Sequence, residues 1–488
     1  MIPTQQTAEK RVIRTDPKFK HKVESSQGGE TLKFCYQCGT CTSACPISKF
    51  IKIYRPNKIL ELAKLGIRGL PQSSAFLFCS ACTLCTKGCP QGVKVHEVMQ
   101  TLKDMAADDV EVRAFIAEGF NDALEALGQG MPLPVTYGWI CMRPDESRPD
   151  EGALKPFILE AFERMLAEKP AIPTVVPDAK RVAIIGSGPA GLTAAWALAK
   201  AGLKVTMFES QAELGGMLKS GIPGYRLPKD VVDAEIDKIK AMGVDIRANT
   251  PVNKDFFNGL LQEYSAVFIA TGAFASRKLR VEGEESQGVI PALDFLKEYN
   301  LTGTTDVAGK NVVVIGGGNV ATDAAGAALR CGAESVRLFC LEDRQSMPAH
   351  EWEIAEVAEA GAEINPSWGP KAIVGDGKVT GVEFIQCTAV FDETGRFNPT
   401  FNDKKTLSAE ADVVITAIGQ SPDLGFLGEG IGTLRGAVEV DPYTMETSLP
   451  GVFAGGDAIA GTSLIEAIVT GKTAAESILR RLDGVKTE

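Results

Sequence analysis

The sequence predicts an α/β protein in which two Rossmann-like parallel-sheet domains follow an all-helical domain. Three observations predict it. Glycine-rich turns at Gly186 and Gly316 each stand between a short β-branched run and an alanine-rich helical one. Two copies of one cysteine spacing lie ahead of both turns. The segment between those copies has a helical pattern rather than alternation.

A chain of 488 residues accommodates about three domains. Its 44% hydrophobic content suits ordinary cores. No apolar run reaches the length of about 18 residues that a transmembrane helix needs. Met1 to Lys22 is polar and mixed in charge, so no secretory signal is expected and the expected location is cytoplasmic. A net charge of −11 argues against nucleic acid as a partner. Twelve cysteines in a cytosolic chain point to metal rather than disulfides.

Residues 1 to 34 read as a polar arm, with turns at Asp16-Pro17 and Gln27-Gly28-Gly29. Then come Cys35, Cys38, Cys41 and Cys45-Pro46, and again Cys79, Cys82, Cys85 and Cys89-Pro90. Both copies have the C-x2-C-x2-C-x3-C-P spacing of two-cluster ferredoxins, in which the fourth cysteine typically ligates the other cluster. The eight cysteines imply two [4Fe–4S] clusters. Zinc would usually show pairs of C-x2-C or histidines instead. Helical patterns at Pro56 to Leu65 and Val95 to Met99 leave little room for a compact β-rich ferredoxin and favour an all-helical ferredoxin-like domain. His96 reads as a helix-surface residue.

Residues 106 to 178 connect this domain to the next. Loops are expected at Pro132-Leu-Pro134 and Cys141 to Pro144, a helix at Phe157 to Ala167, and a linker at Lys169 to Asp178.

Val182 to Ile185 reads as a buried parallel strand, directly followed by Gly186-x-Gly188-x-x-Gly191. The first glycine permits the tight turn, the second admits a pyrophosphate, and the third lets helix pack on strand. A helix from about Ala190 to Ala201 turns its positive end to that phosphate. The strand Lys204 to Phe208 ends at Glu209, whose carboxylate can accept bonds from ribose hydroxyls. Further on, Ala270-Thr271-Gly272 ends a buried strand. Gly456-Asp457 ends the strand Gly451 to Ala454, and Gly461 to Leu464 starts a helix. Asp457 alone would read as a helix cap; with Glu209 and the glycine turn it reads as a ribityl partner in an FAD site.

Asn311 to Ile315 leads into Gly316-Gly317-Gly318-Asn319-Val320-Ala321, with Ala321 in the third position, and the strand Val336 to Cys340 follows. A second such unit implies a second dinucleotide, a nicotinamide. Val413 to Gly419 is expected to be the strand re-entering the FAD domain. Cys141, Cys331, Cys340 and Cys387 have no metal spacing and read as packing residues.

Residues 15 to 105 resemble the small iron–sulfur subunit of heterodisulfide reductases, on Cys-Tyr-Gln-Cys-Gly-Thr-Cys-Thr, Tyr54-Arg55-Pro56 and the second quartet. Residues 180 to 480 resemble the small subunit of glutamate synthase and the flavin module of dihydropyrimidine dehydrogenase. That likeness rests on Gly215-Gly216-Met-Leu218, Gly221-Ile-Pro-Gly-Tyr-Arg226-Leu-Pro228-Lys229, Ala270-Thr-Gly272 and Gly456-Asp457. It implies an FAD domain split around an inserted nicotinamide domain. The expected domains are 1–178 for the clusters and linker, 179–300 and 411–488 for FAD, and 301–410 for NAD(P)H. FAD is expected to meet Gly186, Gly188, Pro189, Ala190, Gly191, Glu209, Gly215, Gly216, Leu218 and Arg226, then Val252, Ala270, Thr271, Gly272, Gly456, Asp457, Ser463 and Leu464. The nicotinamide is expected at Gly316, Gly318, Asn319, Val320, Ala321, Glu342, Arg344, Ala417 and Gly419.

One departure concerns cofactor choice. NADPH-using glutamate synthase small subunits carry two arginines after the strand matching Val336 to Cys340. Alignment on Met347-Pro348 places Leu341 and Glu342 there, which favours NADH, with Arg344 still near. The family's own cysteines ahead of the flavin fold are also replaced, with only Cys141 left. The expected activity is hydride exchange between nicotinamide and FAD, and single electrons through the clusters. The expected partner is another redox subunit carrying the substrate site, or ferredoxin, in a hetero-oligomer. The alternatives are a glutamate synthase small subunit, or an electron relay without nicotinamide turnover. With three histidines, none in a triad-like setting, hydrolysis has no support.

Overall fold

The computed structural model describes residues 14–68, 75–108, 124–128, 131–142, 155–174, 178–428, 430–461 and 463–482. The chain divides into two compact units. One is Met1–Ile172 with Asp237–Met242 and Thr462–Val469; the other is Pro173–Ile236, Gly243–Gly461 and Thr470–Glu488.

In the first unit the expected polar arm is partly a helix. Asp16 caps Pro17–Ser25 by accepting from Lys18 N at 2.9 Å, and Pro17 occupies the first helical position. Phe19 and Val23, one turn apart, are buried. Asp16-Pro17 is thus a helix start rather than a free turn, while residues 1–13 lie outside the described part. The helix Pro56–Leu65 matches its expected bounds and ends at Gly66 in the left-handed region. Gly66 is held against Asp16, since its carbonyl accepts from Asp16 N at 2.7 Å. The strands Arg14–Thr15 and Ile67–Arg68 pair antiparallel on either side.

The loop expected from Cys141 is instead the end of a helix, Pro134–Met142. Pro134 starts it for the same reason Pro17 does, and Val135, Tyr137 and Cys141 are buried along it. Residues 143–144 lie outside the described part. Lys155–Ala167 is the expected amphipathic helix. Of the linker, 175–177 also lie outside.

The second unit holds two five-stranded parallel sheets. The first runs Val452–Ala454, Ala266–Ile269, Arg181–Ile185, Lys204–Phe208, Asp245–Arg247. The second runs Glu363–Asn365, Ser335–Phe339, Asn311–Ile315, Val413–Thr416, Val289–Pro291. Their central strands are apolar and buried on both faces, as parallel sheets covered by helices require. Trp368–Gly375, Val379–Phe391 and Phe397–Glu410 form an antiparallel sheet inserted between strands of the second.

Two boundaries differ from expectation. Val413–Thr416 does not re-enter the first sheet; it pairs with Asn311–Ile315 and Val289–Pro291. The chain rejoins the first sheet only at Val452–Ala454. Likewise Val289–Pro291 and the following helix Ala292–Thr302 belong with the second sheet and its core. An apolar tetrad such as Val413–Thr416 fits either sheet, and only pairing distinguishes them.

A largely buried charge cluster joins the two halves of this unit. Arg226, in the turn after the first sheet's opening elements, has its Nε 2.5 Å from Asp323 Oδ1, an ion pair without hydrogen-bond alignment. Its other nitrogens lie 3.6 Å from Glu353 and 3.3 Å from Glu356. Asp323 sits on the helix Asn319–Arg330 and both glutamates on Glu351–Glu359. Burial lifts Asp323 to about 6, against the pull of Arg226. Burial also lowers Lys229 to about 7 while its ammonium donates to the carbonyls of Leu218 and Ile222.

Removing one partner of such a cluster strands the remaining charges out of water. Arg226→Ala should therefore lower unfolding free energy by about 3–5 kcal/mol in urea titration. Bound flavin, read by visible absorbance in native buffer, should be largely retained. Lost flavin with unchanged stability would instead make Arg226 a cofactor ligand.

Candidate functional site

Eight thiols lie in the first unit, on two loops of matching backbone. Gln37 and Gly39 follow Cys35 with φ of 66° and 81°, and Ala81 and Thr83 follow Cys79 with φ of 53° and 61°. Alternation of left-handed residues with ordinary ones is the backbone pattern of concave anion-binding loops, including those around iron–sulfur centres. Three of the four are not glycine, so the loops hold strain of order 1–3 kcal/mol per residue. The short helices Thr40–Ala44 and Leu84–Lys87 carry the third cysteine of each set.

The fourth cysteines cross over. One cavity is lined by Cys35, Cys38, Cys41 and Cys89, with Leu60 and Val95. Gln37 Nε2 donates to Cys35 Sγ at 3.3 Å, and Val93 N to Cys89 Sγ at 3.3 Å. Cys45 lies instead with the second set. Burial, then Cys79, Cys45 and Cys82, push Cys85 up to about 12. Burial raises Cys45 to about 11, and Cys79 adds to it. Among the described residues no three potential ligands converge on a point that would hold a single metal ion. Thiols spread around a cavity suit a cubane rather than zinc. Raised thiols must release protons when iron binds.

The glycine turns of the two sheets repeat one geometry. Gly186 has φ of 105°, and a Cβ there would stand 2.3 Å from Ala270 O. Gly316 has φ of 143°, and its Cβ would stand 2.2 Å from Ala417 O. Gly191 is equally tight, its Cβ 2.0 Å from Gly186 O. The middle positions differ in kind. A Cβ on Gly188 or on Gly318 would meet nothing within 4 Å, so each faces the open space in front of a helix N-terminus. Those helices are Pro189–Lys200 and Asn319–Arg330, and each carries bare N–H groups toward that space.

Around the first turn, Glu209 accepts from Ser187 N at 2.9 Å, Ser187 Oγ at 2.7 Å and Gln211 N at 2.8 Å. Ser187, missed from the sequence, also accepts from Gly215 N at 3.1 Å and so ties that acid to the next loop. Gly216 crosses close over the turn, its Cβ position 3.0 Å from Gly188 Cα. Leu218 is buried and Val252 packs on the core of this half. Thr271 Oγ1 is buried and has no hydrogen-bond partner among the described residues, a vacancy a polar cofactor group would fit. Gly456 donates its N–H to Thr470 Oγ1 at 2.9 Å, and Asp457 is the second residue of the short turn Gly456–Ile459 after Val452–Ala454. Ser463 caps Leu464–Leu482 by accepting from Glu466 N at 3.3 Å. Arg226 is held by the three carboxylates described above.

Around the second turn, Glu342 folds back over the loop. Its Oε2 lies 2.9 Å from where a Gly317 Cβ would be. Arg344 does not join it; its guanidinium holds Glu351 at 2.8 and 2.7 Å. Ala321 is fully buried in the position of Gly191. Ala417 and Gly419 take the places that Ala270 and Gly272 have in the first sheet.

Residues 180–475 match the profile of the pyridine nucleotide-disulphide oxidoreductases, and 34–94 match that of a 4Fe-4S dicluster domain. The chain belongs to the pyridine nucleotide-disulphide oxidoreductase family and carries a dicluster domain ahead of it. It is 37% identical to the NADP(+)-dependent formate dehydrogenase subunit beta of Moorella thermoacetica, over 80% of this chain and 59% of that protein. It is 31% identical to the NADPH-Fe(3+) oxidoreductase subunit beta of Geobacter sulfurreducens, over 91% and 70%. Against the glutamate synthase [NADPH] small chain of Azospirillum brasilense it is 36% identical over 61% and 65%. The chain thus spans little more than half of the Moorella relative. Among solved structures it resembles Mycobacterium tuberculosis FprA in complex with NADPH, with a TM-score of 0.54 and 19% identity, over 63% of this chain and 85% of that one. Among the described residues no helix is long and apolar enough to cross a membrane.

Two outcomes follow from this geometry. Anaerobically purified protein should hold about eight irons, and Cys38→Ser or Cys89→Ser alone about four. Because both thiols line one cavity, the double variant should still hold about four; near-zero iron in the double variant would put them in separate clusters. Gly188→Val should abolish flavin absorbance in purified protein, because its side chain would fill the space a pyrophosphate needs. Full absorbance in the folded variant would move the phosphate elsewhere.

Proposed function

We propose that this chain is an FAD and iron–sulfur oxidoreductase subunit. It exchanges hydride with NADH and single electrons with another redox subunit or ferredoxin, through two [4Fe–4S] clusters. The observation that carries the reading is the coexistence of two glycine-turn cradles of one geometry with eight thiols in two crossed quartets. FAD belongs in the cradle at Gly186 and nicotinamide in the one at Gly316. When bound, FAD accepts a hydride from reduced nicotinamide and releases its electrons one at a time.

The chain's own residues bind and orient. Bare N–H groups at the start of Pro189–Lys200 meet the flavin pyrophosphate, and Glu209, held rigid by Ser187, meets ribose hydroxyls. The free hydroxyl of Thr271 and the carboxylate of Asp457 serve the flavin side. Eight unpaired thiols also fit the reducing cytoplasm.

Glu342 supports NADH over NADPH, although the relatives named above use NADP(H). Its carboxylate stands at the turn where an adenosine ribose would lie. There it would accept from a 2′-hydroxyl and repel a 2′-phosphate. Arg344, two residues further along the chain, is already paired with Glu351. In anaerobic assays with an artificial acceptor, kcat/KM should favour NADH by about tenfold or more, an order set by a lost or repelled charge contact of about 1.4 kcal/mol. Glu342→Arg should reverse the preference. Equal or better use of NADPH by the unaltered protein would remove Glu342 as selector.

A further inference from the structure

We propose that the surface around Cys35, Cys38, Cys41 and Cys89 is the docking face for a separate, small, acidic one-electron carrier protein. This rests on the reading of that quartet as a cluster site. The first observation is exposure. Among the described residues Cys38 is the only exposed cysteine, so an electron held by this quartet lies nearer to water than one held by Cys45, Cys79, Cys82 and Cys85.

The second observation is the apolar rim. Phe34 is 53% exposed and Tyr36 58% exposed, on the same strand of loop that carries Cys35 and Cys38. Tyr36 lines the same cavity as Cys38. Exposed aromatics next in sequence to an open ligand suit a protein contact, where aromatic residues are enriched. Lys33 lies 5.2 Å over the Phe34 ring, so the apolar rim also carries positive charge.

The third observation, charge, decides the occupant. Between Thr15 and Met105 the sequence has 13 lysines and arginines against 6 aspartates and glutamates, a formal +7 in a chain of −11. The remaining residues therefore carry −18. Two assembled cubanes with four thiolates each add about −2 apiece, which still leaves this stretch near +3. Lys33 and Lys87 are exposed and make no ion pair with any described residue. Lys87 ends the helix that leads into Cys89. An acidic protein is repelled by the net charge of the rest of the chain and attracted to the stretch that carries the thiols, which orients the encounter. A basic partner would be steered away from the open cluster. Each NADH oxidised to NAD⁺ and H⁺ yields two electrons, so two oxidised carriers each take one.

The holoprotein can be tested with two soluble acceptors of opposite charge, cytochrome b5 (acidic) and cytochrome c (basic), under NADH at about 10 and 300 mM salt. Cytochrome b5 reduction should fall about tenfold or more with salt, and cytochrome c reduction should not fall. Lys33→Glu with Lys87→Glu should slow cytochrome b5 about tenfold at low salt and little at high salt. Iron content and the rate of flavin bleaching by NADH should be unchanged. Phe34→Ser should slow cytochrome b5 at both salts. Equal salt responses of the two acceptors, or an unaltered rate in the double variant, would overturn the docking face. Stopped-flow transfer from dithionite-reduced protein to each cytochrome is read separately. It reports docking even if NADH fails to bleach the flavin, an outcome that would count against the proposed function alone.

Discussion

At two places in this chain a glycine rests against the carbonyl of an alanine on the neighbouring parallel strand, with no room for a side chain between them. Gly186 meets Ala270 and Gly316 meets Ala417. That approach pulls the turn into the sheet, so the helix after it begins at the carboxyl end of the strand with its first N–H groups bare. The positive φ that the turn needs and the missing Cβ are one requirement satisfied by one residue type. The open space before Gly188 and Gly318 is a consequence of it, and so is the placement of Glu209 and Glu342 beside each turn.

Two cradles are useful only if their halves keep a fixed arrangement, and here the interaction between them is ionic. Arg226 reaches from one half into three carboxylates of the other. A largely buried guanidinium against several largely buried carboxylates is a poor source of net stability, because all lose most of their water. It is directional, however, and it tolerates few alternative geometries. The residue that family resemblance assigns to flavin thus also braces the two halves. The amine of Lys229, donating to the carbonyls of Leu218 and Ile222, ties the same turn together.

The thiol domain works by a different economy of contacts. Its backbone adopts left-handed conformations at Gln37, Ala81 and Thr83, where nothing in the residue type favours them. Such strain persists where surrounding structure over-determines it. Here the crossing of Cys45 and Cys89 to opposite quartets links the two loops, and the packed short helices Thr40–Ala44 and Leu84–Lys87 hold them in register.

The sequence by itself determined the parts whose physics is local. Strand, turn and helix at Gly186 and Gly316 follow from β-branched runs and glycine spacing within a dozen residues, and the cysteine quartets follow from spacing alone. Tertiary structure decided what depends on pairing across distance. Val413–Thr416 could have joined either sheet, since an apolar strand has no address until a neighbour supplies hydrogen bonds. The helix Pro17–Ser25 was hidden by its polar composition, and burial of only Phe19 and Val23 was enough to hold it. Arg226 lies 97 residues before Asp323, and Ser187 lies 28 before Gly215; no periodicity in the chain announces either contact. Glu342 was readable as an acid after a strand, yet only the fold turns its carboxylate over Gly317, because direction belongs to the backbone around a side chain and not to its name.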